Sequence, residues 1–555
     1  MNRWEFIKAS TFLGCSTAVL GADSISCSKR TQTKPADTGT QPKNYRISTA
    51  SGAVKIMPEG ILPESDTVTF GIAGNETECF QIVIRPETTV ERVSVTVNDL
   101  VSGSNRISGH TWHQVGYVYI STFAGHPVPA DVSGKLSGWY PDPLLTRDHA
   151  HLIENWSNSI WVTVHAPAGT PAGTYQGTVE LEIGPHTETI HIEATVYGFS
   201  IPAVPSLPSL FSLALEYLAK VYPGLPTAIR KNWLDFLAER RIMPTDLYID
   251  LQGPDGAYRI TPEEYVHYNG QTNGFVIYPI TVTWEDRNAP AEVLIQRFEE
   301  NRGYIDAIIA SGAAAGGKGV FYGFDENEPE HFDTMKAVHA HIKSRYPDIP
   351  IATTSMHIQS LAQLEALHVD ILVLHITDGI YNNPFADQLR AAGKKVWGYI
   401  SLQPYHPMPN WRIENALIET RVLLSAMAYH ERFDGFLYWG VNQYNKGQWE
   451  TPRPISRNTP LKLDMSITTP TEEYKWLHGD GLLIYPGTDG PLSSIRMENI
   501  RKGLEEYEYY KLVEAKLGKN ATLELAAQVA QSMSAYTRDV QEYLKHKASL
   551  AAKLG

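Results

Sequence analysis

The sequence predicts a multidomain β plus α/β protein: an N-terminal antiparallel β-sandwich, a (β/α)8 TIM-type barrel and a C-terminal helical extension. Two patterns along the chain predict this order. Residues 45–200 alternate polar and apolar at period two between Gly, Pro and Asn turns, which is typical of antiparallel strands. Residues 207–490 alternate short apolar runs with amphipathic helices, which is typical of a parallel sheet surrounded by helices. The 555 residues also exceed what one hydrophobic core usually serves.

Composition excludes several classes of protein. A hydrophobic content of 43% and a charged content of 19% describe a globular chain. The net charge of -14, without a basic stripe, argues against a nucleic-acid partner. Of three cysteines, Cys15 and Cys27 lie near the start, which leaves Cys79 alone in the mature chain. Disulfides and a Cys-based metal site are therefore excluded. No ligand spacing supports a His/Asp metal site, and we expect no cofactor.

Residues 1–30 are typical of an export signal, because a basic start precedes the short apolar run Ala9–Ala22. That run is too short to span a bilayer. The start, Arg3-Trp-Glu-Phe-Ile-Lys8, resembles a twin-arginine signal that lacks its second arginine, which leaves the export route open. Cys27 stands where a lipoprotein signal is cleaved, and residues 31–44 form a polar linker suited to a tether. The sequence thus predicts a periplasmic or cell-surface protein with a membrane tether through lipidated Cys27.

The sandwich and the barrel are predicted from individual segments. The proline-rich segment Ile201–Pro208 ends the sandwich. The predicted sandwich strands are Thr67–Phe70, Cys79–Ile84, Val93–Val97, Val115–Ile120, Ile160–His165, Tyr175–Glu182 and Thr189–Val196. The predicted barrel strands are Leu210–Leu215, Asp246–Leu251, Phe275–Ile280, Gly319–Asp325, Ile349–Ser355, Asp370–Ile376, Lys394–Ser401 and Asp434–Asn442. The predicted helices include Pro226–Arg241, Ala291–Ala310, Glu330–Arg345 and Asn415–Arg432. The extension, residues 491–555, is predicted to hold a helix capped at Ser493 or Ser494 and another from Thr522 to about Ala548.

The fourth predicted strand ends in acidic residues. Asp325 and Glu326 are adjacent, and Glu328 follows just before Pro329. In a barrel such residues lie at the C-terminal face, where active sites form. Asn327-Glu328-Pro329 resembles the acid/base signature of a large clan of retaining barrel glycosidases. That clan needs a nucleophilic Glu at the end of the seventh strand, but the seventh and eighth predicted strands end without an acid.

The adjacent pair offers a second interpretation. A 2-acetamido sugar can use its own carbonyl oxygen as the nucleophile, so the enzyme supplies one acid for the leaving group and one carboxylate for the amide N–H. Asp325 would orient the amide and Glu326 would protonate the glycosidic oxygen. Repulsion between close carboxylates would help to keep the donor protonated near neutral pH.

The chain resembles glycoside hydrolase family 123, the β-N-acetylgalactosaminidases, and related uncharacterised proteins. The likeness covers most of the mature chain. The resemblance implies a sandwich, a catalytic barrel and a substrate-assisted mechanism on Asp325 and Glu326. Many relatives have Pro directly after this acid pair, whereas here Asn327-Glu328 intervenes. The segments that carry the likeness are 139–145, 171–177, 322–326, 479–487 and 494–508.

Other side chains near predicted strand ends are candidates for sugar contacts. Trp397, Tyr399, Tyr438 and Trp439 would form an acetamido pocket and a sugar platform, or part of the barrel core. His375 and Asp378 close the sixth strand and Asn442 the eighth. Asp325 and Glu326 have a structural alternative as helix caps. Glu328 and Glu330 are better explained as helix-start residues.

We therefore expect an exported exo-glycosidase that removes terminal β-linked N-acetylgalactosamine from a glycan or glycoconjugate, with retention and without an enzymic nucleophile. Two alternatives stay open. One is a glycosidase of the same fold acting on a different sugar. The other is a non-catalytic glycan-binding surface protein.

Overall fold

The computed structural model describes residues 42–120, 138–248, 258–281, 283, 285–377, 379–444, 452–463, 465 and 478–555. Lys43–Gly555 forms one compact unit. The predicted export signal, Cys27 and most of the predicted linker lie outside the described residues. No described helix is long and apolar enough to cross a bilayer.

The N-terminal half is β-rich. Its strands are β1 (Tyr45–Ser51), β2 (Val68–Gly74), β3 (Glu76–Pro86), β4 (Val90–Val97), β5 (Leu100–Ser102), β6 (Asn105–Ile107), β7 (Thr111–Ile120), β8 (Gly138–Leu145), β9 (Ala150–Leu152), β10 (Asn158–Ala166), β11 (Gly173–Ile183) and β12 (His186–Ser200). One sheet has the order β1-β3-β10-β7, with β8 beside β7, and a second has the order β2-β12-β11-β4-β9. The described pairs within these strands are antiparallel except β2 with β12.

The polar–apolar alternation along the sequence corresponds to alternating exposed and buried residues in the strands. Along β12, Ile190, Ile192, Ala194 and Val196 are buried and the residues between them are exposed. Their side chains join a core with residues from both sheets, including Ile82. Because successive strand residues point to opposite faces, one face of each strand enters this core.

The C-terminal half contains a parallel sheet. Its strands are β13 (Ser209–Phe211), β14 (Phe275–Pro279), β15 (Gly319–Tyr322), β16 (Ile351–Thr354), β17 (Ile371–His375), β18 (Lys395–Ile400) and β19 (Phe436–Tyr438). Their order is β13-β19-β18-β17-β16-β15-β14, so the first strand lies beside the last. The remaining short strands are β20 (Lys462–Leu463), β21 (Tyr485–Gly487) and β22 (Gly490–Leu492).

The gap between β13 and β14 is spanned at one residue. Thr245 forms a parallel bridge with Ser212, and its hydroxyl accepts the backbone N–H of Val276 at 2.9 Å. Thr245 directly precedes the predicted strand Asp246–Leu251, of which residues 246–248 form no ladder and residues 249–251 lie outside the described part. The sheet is nearly barrel-shaped.

The helices are α1 (Leu215–Val221), α2 (Thr227–Ala238), α3 (Pro262–Tyr268), α4 (Ala291–Glu300), α5 (Arg302–Ala310), α6 (Phe332–Arg345), α7 (Leu361–Ala366), α8 (Asn383–Ala391), α9 (Leu417–Val422), α10 (Ala428–His430), α11 (Ile495–Leu517), α12 (Lys519–Ala527) and α13 (Val540–Leu554). A π-helical segment, Leu423–Met427, joins α9 to α10. Two predicted helices are each divided in two. Asn301 separates α4 from α5, and Ser532, whose hydroxyl accepts two backbone N–H groups, lies between α12 and α13.

Helix α11 is almost entirely buried and joins the two halves through charged side chains. Arg496 donates to both carboxylate oxygens of Asp142 in β8, at 2.8 and 2.7 Å. Burial opposes ionisation of Glu76, yet Lys502 and Lys547 hold its pKa at about 2. Asp142 in β8 thus takes part in the contact between the two halves.

Candidate active site

The two adjacent acids follow β15 in an unusual backbone conformation. Phe324 and Glu326, on either side of Asp325, have φ angles of 54° and 45°. Non-glycine residues rarely adopt this left-handed region, and each costs about 1 kcal/mol or more. Gly323 precedes them because a Cβ there would lie 2.6 Å from the Cβ of Ile280. Such strain persists only where surrounding contacts hold it.

Three hydroxyl groups contact Asp325. Tyr248 donates to Oδ2 and Tyr322 to Oδ1, both at 2.7 Å. Thr354 donates a short hydrogen bond to Oδ1. Burial, and then the charge of Asp325, raise the pKa of both tyrosines well above 10, so they remain donors. An ionised carboxylate has about four acceptor sites, so about one is left for a further donor.

Glu326 has different surroundings. Tyr399 donates to its Oε1 at 2.8 Å. Burial and, second, the charge of Asp325 raise the pKa of Glu326, while Tyr399 and Arg287 oppose the rise. The Arg287 guanidinium also donates to the main-chain carbonyls of both acids, at 3.2 and 2.9 Å. The pair is therefore divided into one carboxylate rich in donors and one that holds its proton more readily.

His375 supports Tyr399. The two rings meet edge to face with centroids 4.8 Å apart. The His375 Nε2 donates to the carbonyl of Gln403 at 3.0 Å, so Nδ1 accepts the hydroxyl of Thr377 at 2.5 Å. Burial lowers the pKa of His375 to about 4, so the ring is neutral. Both nitrogens have protein partners, and a direct sugar contact by His375 stays a prediction.

Trp397 lies two residues before Tyr399 on the same strand face. It is 2% exposed and packs in the interior of the sheet with Tyr322 and Val373. A Cβ at Gly435 would lie 2.3 Å from the Trp397 ring, so that glycine makes room for the indole. The structure thus places Trp397 one layer further from the strand ends than Tyr399.

Tyr438 and Trp439 share a buried acid. The Tyr438 hydroxyl donates to Asp480 Oδ1 at 2.9 Å, and the Trp439 Nε1 to Oδ2 at 3.0 Å. Asp480 is 1% exposed, and burial raises its pKa to about 6. The eighth predicted strand ends without an acid, but the fold brings Asp480 there from about 40 residues further along the chain.

Asn442 has a backbone role. Its side chain accepts the N–H of Ala214 at 3.0 Å and donates to the carbonyl of the same residue at 2.9 Å. It is fully buried and joins the segments that follow β13 and β19. Asp378 lies outside the described residues.

The two residues after the acid pair have structural partners. The Asn327 amide donates to Phe324 and Thr354 carbonyls and to the Thr353 hydroxyl, at 2.8 to 3.0 Å. Glu328 caps the helical turn Pro329–His331, and its Oε2 lies 2.8 Å from Nε2 of His357. Glu328 is thus a helix-start residue in the structure. Asn327 and Glu328 fix the loop behind the acids.

Among the residues that the structure describes, one group of three acids outside this site lies close enough together to hold a metal ion: Glu76, Glu78 and Glu506. The Lys547 ammonium lies 2.6 Å from Glu76 and 2.9 Å from Glu78, and Lys502 also pairs with Glu76. These ammonium groups already neutralise the cluster, which therefore belongs to the interface.

Sequence reasoning missed Tyr248, Tyr322, Thr354 and Asp480. Thr354 stands near the end of the predicted strand Ile349–Ser355, so its position was an available signal, whereas Tyr322 lies in the middle of the predicted strand Gly319–Asp325. Tyr248 lies 77 residues from Asp325 and Thr354 lies 29. No local pattern indicates that such hydroxyl groups converge on one carboxylate.

Comparisons with known proteins agree with this architecture. Residues 304–513 match the family model for the catalytic domain of glycoside hydrolase 123. Residues 73–183 match the model for the glycoside hydrolase 123 N-terminal domain. A comparison with curated proteins gave no match.

Among solved structures, one similar chain is a family 123 glycoside hydrolase from Clostridium perfringens, studied for glycolipid glycan hydrolysis. It is 14% identical, with a TM-score of 0.66 over 92% of this chain and 97% of that one. This likeness shows the fold. A termite-gut GH10 xylanase with an Ig-like domain is 12% identical over 63% of this chain and 90% of its own, with a TM-score of 0.29 too low to carry an argument. The two family models together span most of both halves, and the chain belongs to glycoside hydrolase family 123.

Proposed function

We propose that this glycoside hydrolase removes terminal β-linked N-acetylgalactosamine with retention, by a substrate-assisted mechanism. The observation that supports the proposal is the difference in surroundings between Asp325 and Glu326. Asp325 accepts three hydroxyl hydrogen bonds, whereas burial and the neighbouring carboxylate raise the pKa of Glu326. The first suits a group that accepts hydrogen bonds, and the second suits a proton donor.

Asp325 is better suited to orienting an amide than to attacking a carbon. Its donors already occupy about three of about four acceptor sites. A carboxylate bound in this way is a weak nucleophile, but it can still accept one N–H. A 2-acetamido group presents one such N–H, and its positive charge in the oxazolinium intermediate would be stabilised by the carboxylate.

The proton transfers balance across the two steps. Glu326 donates its proton to the glycosidic oxygen as the bond from C1 to that oxygen breaks, while the acetamido oxygen attacks C1 from the opposite face. A water molecule then attacks C1, gives its proton to Glu326 and opens the oxazolinium ring. Two inversions give net retention. Tyr399 and Trp439 are proposed to line the sugar pocket around this reaction, whereas the buried side chains of Trp397, Tyr438 and Asn442 support it from behind. Sugar contacts by His375 and Asp378 stay predictions.

The remaining untested expectations are proposals of the same kind. We infer that the parallel sheet is a (β/α)8 barrel closed at Thr245, with a boundary to the sandwich near residues 200–207. The site then lies at the C-terminal face, because Asp325 follows β15 and Tyr399 lies near the carboxyl end of β18. We also propose export with a tether through lipidated Cys27, and a glycoconjugate bearing terminal N-acetylhexosamine as the substrate.

Purified protein tests the proposal directly. We expect hydrolysis of an aryl β-N-acetylgalactosaminide, with the β-anomer of the sugar as the first product in proton NMR. A thiazoline analogue of the oxazoline intermediate should inhibit it competitively. Cleavage of aryl glycosides that lack the 2-acetamido group, without thiazoline inhibition, would contradict the mechanism.

The second candidate is a same-fold glycosidase that uses an enzymic nucleophile on a different sugar. Asp480 is the observation that favours it, since it is an acid beside β19. However, both of its oxygens accept hydrogen bonds and it is 1% exposed. Trapping with a 2-fluoro sugar and mass spectrometry would distinguish the two: a label on Asp480 supports the second candidate. Glycan binding that persists in Asp325→Asn and Glu326→Gln, in a parent without turnover, would instead indicate a non-catalytic protein.

A further inference from the structure

Three consecutive hydroxyl residues at the end of β16 hold the acid-bearing loop. Thr353 donates to the Gly323 carbonyl at 2.8 Å, and Ser355 donates to Asn327 Oδ1 at 3.0 Å. Thr354, between them, contacts both acids. Each hydroxyl therefore fixes a different part of Gly323–Asn327.

The Thr354 hydroxyl joins the side chain of one acid to the backbone of the other. Its Oγ1 donates a short hydrogen bond to Asp325 Oδ1 and accepts the backbone N–H of Glu326 at 2.8 Å. A hydroxyl has one donor and two acceptor positions, and Tyr322 lies 3.4 Å from the same oxygen. Thr354 has no exposed surface, so water cannot replace its hydroxyl without a rearrangement.

These contacts explain how Glu326 keeps its left-handed conformation. With a φ of 45°, its N–H points to Thr354. Without the Thr354 hydroxyl, the partly buried N–H of Glu326 would lose its partner, and this strained residue would lose the contact that opposes its relaxation. Asp325 would lose one of its three donors at the same time.

We propose that Thr354 is a positioning residue that sets the relative placement of Asp325 and Glu326. This inference rests on the proposed function of the two acids. The hydroxyl contacts no reacting atom. It acts by fixing the distance and orientation between the carboxylate that orients the amide, Asp325, and the proton donor, Glu326. A misplacement of about 1 Å commonly costs about a hundredfold in rate.

Thr354→Val and Thr354→Ser test the proposal in the full chain, with an aryl β-N-acetylgalactosaminide as substrate. Thr354→Val keeps the shape without the hydroxyl, and we expect kcat to fall by about a hundredfold with KM changed by less than about threefold. Affinity for the thiazoline inhibitor should fall in parallel with kcat/KM. Thr354→Ser restores the hydroxyl and should recover activity to within about fivefold of the parent.

Thr272→Val is the matched control. Thr272 is equally buried, and its hydroxyl donates to the Tyr268 carbonyl at 2.8 Å before the start of β14, where it contacts neither acid. It should retain kcat within about threefold. If Thr354→Val does not fold, Thr354→Cys takes its place, because its thiol is a weak donor and acceptor.

The outcomes separate the two proposals. An inactive parent overturns the proposed function. If the parent is active and the kcat of Thr354→Val, or of Thr354→Cys in its place, lies within threefold of the parent's, the positioning role alone is overturned. Equal losses in Thr354→Val and Thr354→Ser overturn it as well, because the hydroxyl would then not be the cause.

Discussion

Removal of the Tyr399 hydroxyl should change the pH dependence of the enzyme in a definite direction. The hydroxyl donates to Glu326 Oε1 at 2.8 Å, and this bond lowers the pKa of that carboxyl against the effects of burial and of Asp325. The proposed general acid must be protonated, so the alkaline limb of the profile follows the pKa of Glu326. In Tyr399→Phe the ionised form loses a donor, and the limb should move to higher pH.

The size of the shift follows from the hydrogen bond. A bond to a charged group contributes about 1.5–3 kcal/mol, and about 1.4 kcal/mol corresponds to one pKa unit. Because Glu326 is partly exposed, solvent screens the change and we take the lower end, about 1.5 kcal/mol. The edge-to-face contact of the ring with His375 is retained in Phe, so the melting temperature should change little.

The assay is kcat/KM on an aryl β-N-acetylgalactosaminide from pH 4 to 9, with constant ionic strength. Tyr346→Phe serves as the control. Tyr346 lies just before the amino end of β16, and its hydroxyl donates to the Asp306 carboxylate at 2.6 Å. Tyr346→Phe therefore also removes a hydroxyl from a carboxylate, but at the end of β16 opposite to the two acids. An alkaline limb that stays in place, or moves to lower pH, in Tyr399→Phe would refute the assignment of Glu326 as the acid.

Three other perturbations test separate parts of the structure. Glu326→Gln should reduce kcat on an unactivated disaccharide by about 10²–10⁴-fold and far less on a dinitrophenyl glycoside. Asp325→Asn should slow the hydrolysis of both substrates. If Glu326→Gln loses the same factor in kcat on both substrates, Glu326 is not the acid. Arg496→Met should lower the free energy of unfolding by about 3–5 kcal/mol in urea titrations, since it leaves the buried Asp142 carboxylate without its ion-pair partner. Arg106→Met is the control: it removes an exposed ion pair with Asp99 and should lower the free energy of unfolding by less than about 1 kcal/mol. Burial raises the pKa of Asp480 to about 6 from 3.8, so its contribution to stability is complete below pH 3.8 and declines as pH rises through 6. The free energy of unfolding of Asp480→Asn, relative to that of the parent, should therefore rise by up to about 3 kcal/mol between pH 4 and pH 7. A difference in unfolding free energy that does not depend on pH would contradict the raised pKa.

Local patterns identified most of the secondary structure. Period-two alternation predicted the sandwich strands because burial alternates with the pleat. The apolar runs of the second half predicted strands because parallel strands are covered on both faces. The predicted helices were too long at Asn301 and Ser532, where side-chain hydrogen bonds interrupt the helix. Of the predicted strand Asp246–Leu251, residues 246–248 form no ladder and the single bridge lies at the preceding Thr245; residues 249–251 lie outside the described part.

The sequence by itself determined the order of the two halves, the family resemblance, which is confirmed, and the adjacent acids at a strand end. Each of these depends on residues close together in the chain. Only the tertiary structure decided that Tyr248, Tyr399 and Thr354 reach those acids, across 77, 73 and 29 residues. A parallel sheet brings strand ends together that are far apart in sequence. Because burial and neighbouring charge set the proton affinity of Glu326, the division of labour within the pair arises only when the chain has folded.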